Sequence, residues 1–136
     1  MRGGRRPGRT GRRAEDLAES FLVSRGFFPL ARNHHTRDGE VDLVVGQQDL
    51  LVFAEVKLRR RNAMVDPITS VTLKKQRRVV LAALDYVQRH GYEDRAMRFD
   101  IIAITPAPRG RGEPPRIEHV EAAFDTSVAE SSSDRF

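Results

Sequence analysis

Two apolar runs a turn apart, residues 40–45 (Glu-Val-Asp-Leu-Val-Val) and 50–57 (Leu-Leu-Val-Phe-Ala-Glu-Val-Lys), most constrain how this chain can fold. Their β-branched character predicts two paired strands, with Gly-Gln-Gln-Asp at residues 46–49 as the turn. Val41, Leu43, Val44, Leu51, Val52, Phe53, Ala54 and Val56 leave these strands mostly buried. Asp42, Glu55 and Lys57 interrupt that apolar ground, and charged side chains there need a partner or a metal.

Strand parity decides whether the three can meet. Glu55 and Lys57 are two residues apart and share a face. With an even-length turn at residues 46–49, Val45 faces Leu50, Asp42 faces Phe53 and Glu40 faces Glu55. Asp42, Glu40, Glu55 and Lys57 then emerge together, with Asp42 and Glu55 as diagonal neighbours roughly 7–8 Å apart at the backbone. An odd turn would put the carboxylates on opposite faces.

The rest of the chain supplies a setting. At 136 residues it suits one domain, able to bury roughly two-thirds of its unfolded surface. Residues 1–9 read as a flexible basic arm, residues 10–124 as the folded domain and residues 125–136 as a disordered tail. A first helix carries Ala14, Leu17, Ala18, Phe21 and Leu22 at helical spacing, and Gly26 ends it. A short strand follows over residues 27–35. A second helix runs from Thr72, its N-cap, to Gly91, with Leu73, Val80, Leu84 and Val87 as its buried stripe. Residues 98–105 form a near-continuously apolar, central strand, and residues 116–124 a final edge strand after a proline-rich loop. Phe21, Phe27, Phe28, Phe53 and Phe99 read as core. This order predicts an α/β domain with a mixed sheet flanked by helices.

Charge is segregated along the chain. Six arginines and no acid lie in residues 1–13. Eight acids and three basic residues occupy residues 14–56, and eight basic residues against Asp66 occupy residues 57–78. An acidic block between cationic ones suits a polyanion held around a metal site. There is no cysteine, hence no disulfide and no thiolate chemistry. No apolar run is long enough to cross a bilayer, and no apolar segment follows the N-terminal arginines as in a secretory signal, so the cytoplasm is the expected compartment.

Two carboxylates can hold a hard ion such as Mg²⁺ or Mn²⁺, which keeps several waters and reaches for phosphate oxygens. Lys57 can hold the attacking water or offset charge at phosphorus. Arg59, Arg60, Arg61, Lys74, Lys75, Gln76, Arg77 and Arg78 are the expected contacts to a nucleic-acid backbone, DNA in the first instance. The plain alternative is a buried ion pair of Lys57 with Glu55 or Asp42. Adjacent His34 and His35 point to opposite faces and read as a surface contact and a half-buried ring. Asp100 reads as structural, pairing with Arg98 or the basic second helix.

Spaced residues across 11–124 sharpen this. Gly11, Glu15, Ala18, Leu22 and Gly26, then Arg32-Asn33, Gly39-Glu-Val-Asp-Leu43, Phe53-Ala-Glu-Val-Lys57, Arg59, Thr72, Lys75-Gln76 and Arg98-Phe-Asp100 follow in order the pattern of the YraN-like family. That family resembles the PD-(D/E)XK nuclease superfamily, with its restriction-endonuclease-like fold, and within it the archaeal Holliday-junction resolvases. The resemblance implies metal binding by Asp42 and Glu55 with the Val56 carbonyl, catalysis by Lys57, and approach of Glu15 and Lys75 or Gln76 to the same site. It implies DNA as substrate, possibly branched or processed. A second copy of the chain, or a larger DNA-processing assembly, is the expected company. His34-His35 and the stretch Met64-Val65-Asp66 depart from the family pattern, where substrate contacts rather than the acid–acid–lysine set are affected.

Overall fold

The computed structural model describes residues 11–62, 64 and 66–130; the N-terminal arm and the end of the tail lie outside them. Helix α1 (Gly11–Ser24) leads into strands β1 (Phe28–His35), β2 (Glu40–Gln47) and β3 (Leu50–Leu58). Helix α2 (Leu73–His90), strands β4 (Ala96–Thr105) and β5 (Arg116–Phe124) and a short helix α3 (Ser127–Glu130) complete the order. The five strands lie in chain order in one sheet, with β3 and β4 parallel and the other neighbours antiparallel. This is an α/β fold with a mixed five-stranded sheet flanked by helices, the restriction-endonuclease-like arrangement.

Each face of the sheet has its own core. Leu43, Val45, Val52, Ala54, Val56, Ile102 and Ile104 pack beneath Ala14, Ala18 and Leu22 of α1. Val44, Leu51, Phe53 and Phe99 pack beneath Val79, Val80, Ala83, Tyr86 and Val87 of α2. The buried stripe of α2 therefore differs from expectation, since Leu73 and Leu84 are exposed. The helix meets the sheet through Ala82 and Ala83 instead, and small residues let its backbone come close. Close approach is absolute at Gly39 in the β1–β2 turn, where a Cβ would stand 2.1 Å from the Arg78 carbonyl of α2. Thr72 caps α2 by accepting from the Lys75 N–H at 3.1 Å, and Gly91 closes it in the left-handed region.

The β2–β3 hairpin is tighter than expected. Only Gln48 and Asp49 turn, and the pairs are Gln47↔Leu50, Gly46↔Leu51, Val45↔Val52, Val44↔Phe53 and Leu43↔Ala54. Gly46, expected in the turn, sits inside β2 because Phe28 and Leu30 of β1 lie over it, within 3.0 and 3.2 Å of where a Cβ would be. Phe28 is half exposed there and is not a core residue. The register moves by two residues, which preserves parity. Ser127–Glu130, in the segment expected to be disordered, forms α3 against α2, with Val128 and Ala129 joining its core.

Candidate active site

The site forms where β2 leaves β3. The ladder between them runs no further than Leu43↔Ala54. Beyond it the Asp42 carboxylate, in place of a β2 carbonyl, accepts the Val56 N–H at 2.9 Å. Alternation breaks at the same place. Val41 packs into the α2 core and Leu43 into the α1 core, although they are two residues apart. On β1, opposite Asp42, Asn33 has a left-handed φ of 52°, an uncommon conformation that asparagine tolerates better than most residues. Arg32 on one side of it reaches Asp16 of α1, and His34 on the other reaches Asp85 of α2. Alternation thus changes on both strands at this level, and Asp42 feels charges from both helices.

Simple alternation on one face is therefore not what joins the expected residues. Continued past Leu43↔Ala54, the register sets Asp42 opposite Glu55, not diagonal to it. Their carboxyl groups lie within hydrogen-bonding reach of each other. Both are buried, at 6% and 7% exposure. Burial and the Asp42 charge push the Glu55 carboxyl well above the usual carboxylate range. Burial, reinforced by the charge of Glu15, raises Asp42 against the pull of the Val56 N–H and Lys75. Two carboxyls this close cannot both ionise cheaply, and burial with their mutual repulsion raises both, Glu55 the more. Glu55 Oε1 is buried without a hydrogen bond among the described residues.

The cation on these acids is Lys75, not Lys57. Its Nζ donates to Glu40 Oε2 at 2.6 Å and lies 3.7 Å from Glu55 Oε2. Burial alone would lower Lys75, but Glu55 and Glu40 raise it. Glu40 in turn is held low, first by the Lys75 hydrogen bond, and its Oε1 lies 2.8 Å from His35 Nε2. Lys57 is half buried and makes neither ion pair nor hydrogen bond among the described residues. The plain alternative of a buried Lys57 ion pair is thereby set aside.

Glu15 is fully buried on α1. Asn33 Nδ2 donates to its Oε1 at 3.0 Å and Arg32 at 3.4 Å, while its Oε2 has no hydrogen bond among the described residues. It acts on Asp42 by charge. Among the described residues no three acidic or imidazole side chains converge at ligand distance. The donor set is a two-carboxylate one, and Mg²⁺ sites commonly use one or two carboxylates, completing the shell with water and phosphate. Two buried carboxyls that repel each other, one with an orphaned oxygen, fit a divalent ion.

The basic residues divide into two groups. Lys74, Lys75, Arg77 and Arg78 start α2, although Arg77 Nε is taken by the Val128 carbonyl at 3.1 Å and Gln76 Nε2 by the Val71 carbonyl at 3.0 Å. Arg59, Arg60 and Arg61 instead leave the end of β3 and gather with Arg116 of β5 around a common hollow. Glu40 and the Arg32–Asn33 pair are site neighbours that pattern reading gave no role. Parity had placed Glu40 on the acids' face and Arg32-Asn33 stood in the family pattern, so both carried a usable signal.

Residues 14–104 match the family described as "Uncharacterised protein family UPF0102". A UPF0102 protein of Anaeromyxobacter dehalogenans is 50% identical over 115 residues, covering 85% of this chain and 83% of that protein. One of Marinobacter nauticus is 43% identical over 114 residues, covering 84% and 90% respectively. One of Myxococcus xanthus is 40% identical over 118 residues, covering 87% and 90%. No helix among the described residues is long and apolar enough to cross a membrane. The chain belongs to the UPF0102 family, the YraN-like proteins.

Proposed function

We propose that the chain is a Mg²⁺- or Mn²⁺-dependent nuclease that hydrolyses phosphodiester bonds in DNA, with branched or processed structures as its substrates. One observation carries this reading: two buried carboxyls, Asp42 and Glu55, set against each other with a Glu55 oxygen left without a hydrogen bond, and on the same strand a Lys57 that makes no ion pair among the described residues. Asp42 and Glu55 would hold the ion, with the Val56 carbonyl as the backbone donor that the family resemblance implies. A bound Mg²⁺ or Mn²⁺ supplies Lewis-acid polarisation of a phosphate oxygen and a water acidic enough to attack at neutral pH. Glu15 keeps Asp42 hungry for positive charge, and Lys75 and Glu40 hold the Glu55 side chain in place. Lys57 faces the reacting phosphate and offsets its charge or orients the water. Water adds across one P–O bond, leaving a phosphate monoester and a hydroxyl. The basic residues at the start of α2 and the end of β3 bind the flanking backbone without reading sequence.

A second reading has its own observation. Lys75 already compensates Glu55 and Glu40, as in a nucleic-acid-binding accessory protein that retains the fold without turnover. Labelled branched, single-stranded and duplex DNAs, incubated with Mg²⁺ or Mn²⁺, separate the two. The nuclease reading expects cleavage that depends on metal and is abolished in Glu55→Ala. Cleavage that survives the substitution rejects the site. Binding without cleavage of any substrate selects the accessory reading.

A further inference from the structure

Beyond the acids, the end of β3 opens into a groove of about 410 Å³ that the candidate active site does not use. Its walls are apolar: Leu17 of α1, Leu58 of β3, Ile104 of β4, and Pro106, Ala107 and Pro115 of the β4–β5 loop. Leu58 is 46% exposed, an unusual state for a leucine that continues a buried strand. The groove falls in the roughly 300–1,000 Å³ range of small-ligand sites.

What surrounds it is cationic. Pro106 and Ala107 are shared with an adjoining hollow of about 340 Å³ that includes Arg61 and Arg116. Leu58, Pro106 and Ala107 are shared with another of about 400 Å³ that includes Arg59, Arg60 and Arg61. Arg13 lines the groove itself, with Glu113 as the one acid on its wall. Of the arginines here, Arg59 is paired with Glu118 at 3.7 Å, while Arg60, Arg61 and Arg116 make no ion pair among the described residues. An apolar slot continuous with unpaired guanidinium groups matches a ligand with flat apolar faces strung on phosphates.

Strand geometry narrows the ligand further. Leu58 pairs with Ile104, a member of the α1-side core, whereas Glu55 meets Lys75 of α2. Neighbouring side chains on a strand point opposite ways, so Lys57 and Leu58 serve opposite faces of the sheet. A ligand touching both must turn sharply over the end of β3. Duplex DNA, stiff over roughly 150 base pairs, does not make that turn cheaply. An unpaired strand does.

We propose that this groove receives an unpaired nucleobase from a single-stranded segment adjoining the candidate active site, with Arg60, Arg61 and Arg116 on its phosphates. The proposal rests on the nuclease reading for the origin of that strand, and its test is a binding measurement that needs no turnover. The full chain is titrated, without divalent metal, against a blunt duplex, the same duplex with a short single-stranded tail, and the tailed duplex with abasic sites in the tail. The tailed DNA binds about tenfold tighter than either control, the effect of burying roughly 55 Å² of base face against the apolar walls at about 25 cal/mol per Å². Leu58→Glu removes that preference and leaves blunt-duplex affinity unchanged; Ala107→Glu, on the loop wall, does the same and covers a folding failure at position 58. A tail that binds equally well without its bases overturns the proposal, and so does equal weakening of all three DNAs by both variants. Tail preference in a chain that cleaves nothing supports the groove while rejecting the nuclease reading. Cleavage with no tail preference does the reverse.

Discussion

Glu55 and Asp100 are both buried acids on neighbouring parallel strands, one residue out of step in the β3–β4 register. Their surroundings are opposite. Asp100 takes Arg98 Nε and a terminal Arg98 nitrogen at 2.9 Å each, His119 Nε2 at 2.7 Å and the Ala122 N–H at 3.0 Å. Burial alone would raise its carboxyl; His119, Arg98 and the Ala122 N–H override that and hold it low. Glu55 has a cation at 3.7 Å, a second carboxyl beside it and an oxygen with no donor among the described residues. One acid is satisfied by the fold and the other is left wanting. A buried carboxylate that the protein declines to satisfy is a better guide to chemistry than burial alone.

That contrast can be broken by substitution. Asp100→Ala strands Arg98 and His119 and should destabilise the domain by about 3–5 kcal/mol in denaturant melts. Glu55→Gln puts a neutral amide of the same shape where two desolvated carboxyls compete, so it should be neutral or stabilising by about 1 kcal/mol. If the two cost the same, the distinction between a structural and a functional acid fails here.

Acid titration sharpens it. The folded-state value of Asp100 lies below its unfolded value, so its stabilisation is fully present above the unfolded carboxylate range, about pH 4. It is lost as pH falls through the folded value. Wild type should therefore lose stability below about pH 4 more steeply than Asp100→Asn, measured as the denaturation midpoint against pH. Identical slopes would remove Asp100 as the source. The smallest effect belongs to an exposed pair. Arg89→Ala breaks the 2.8 Å contact with Asp85 on α2 and should leave the melting midpoint where it was, because solvent screens that pair.

Much of the fold was legible because apolar runs and caps are local. The hairpin strands, the Thr72 and Gly91 ends of α2, and β5 at residues 116–124 follow from spacing and turn chemistry. What escaped depends on contacts between distant segments. Gly46 looks like a turn residue until Phe28 and Leu30 are laid over it. The break in alternation at Asp42 lies opposite a left-handed non-glycine residue, Asn33, which no pattern announces. The site was half legible. Asp42 and Glu55 do meet, but through a break in alternation that parity did not foresee; the family pattern already brought Lys75 to the site, while its place as the cation on the acids, in preference to Lys57, depends on how a distant helix is seated. His119 as a partner of Asp100 was invisible for the same reason.

The contact at Gly39 acts as a spacer of zero thickness. Because nothing larger than hydrogen fits between that turn and the Arg78 carbonyl, the first turns of α2 are seated at a fixed height above the sheet. Lys75 inherits that height. Any side chain at position 39 would lift the start of the helix and carry the ammonium away from Glu55 and Glu40, loosening the electrostatics of the site without altering one of its charged residues.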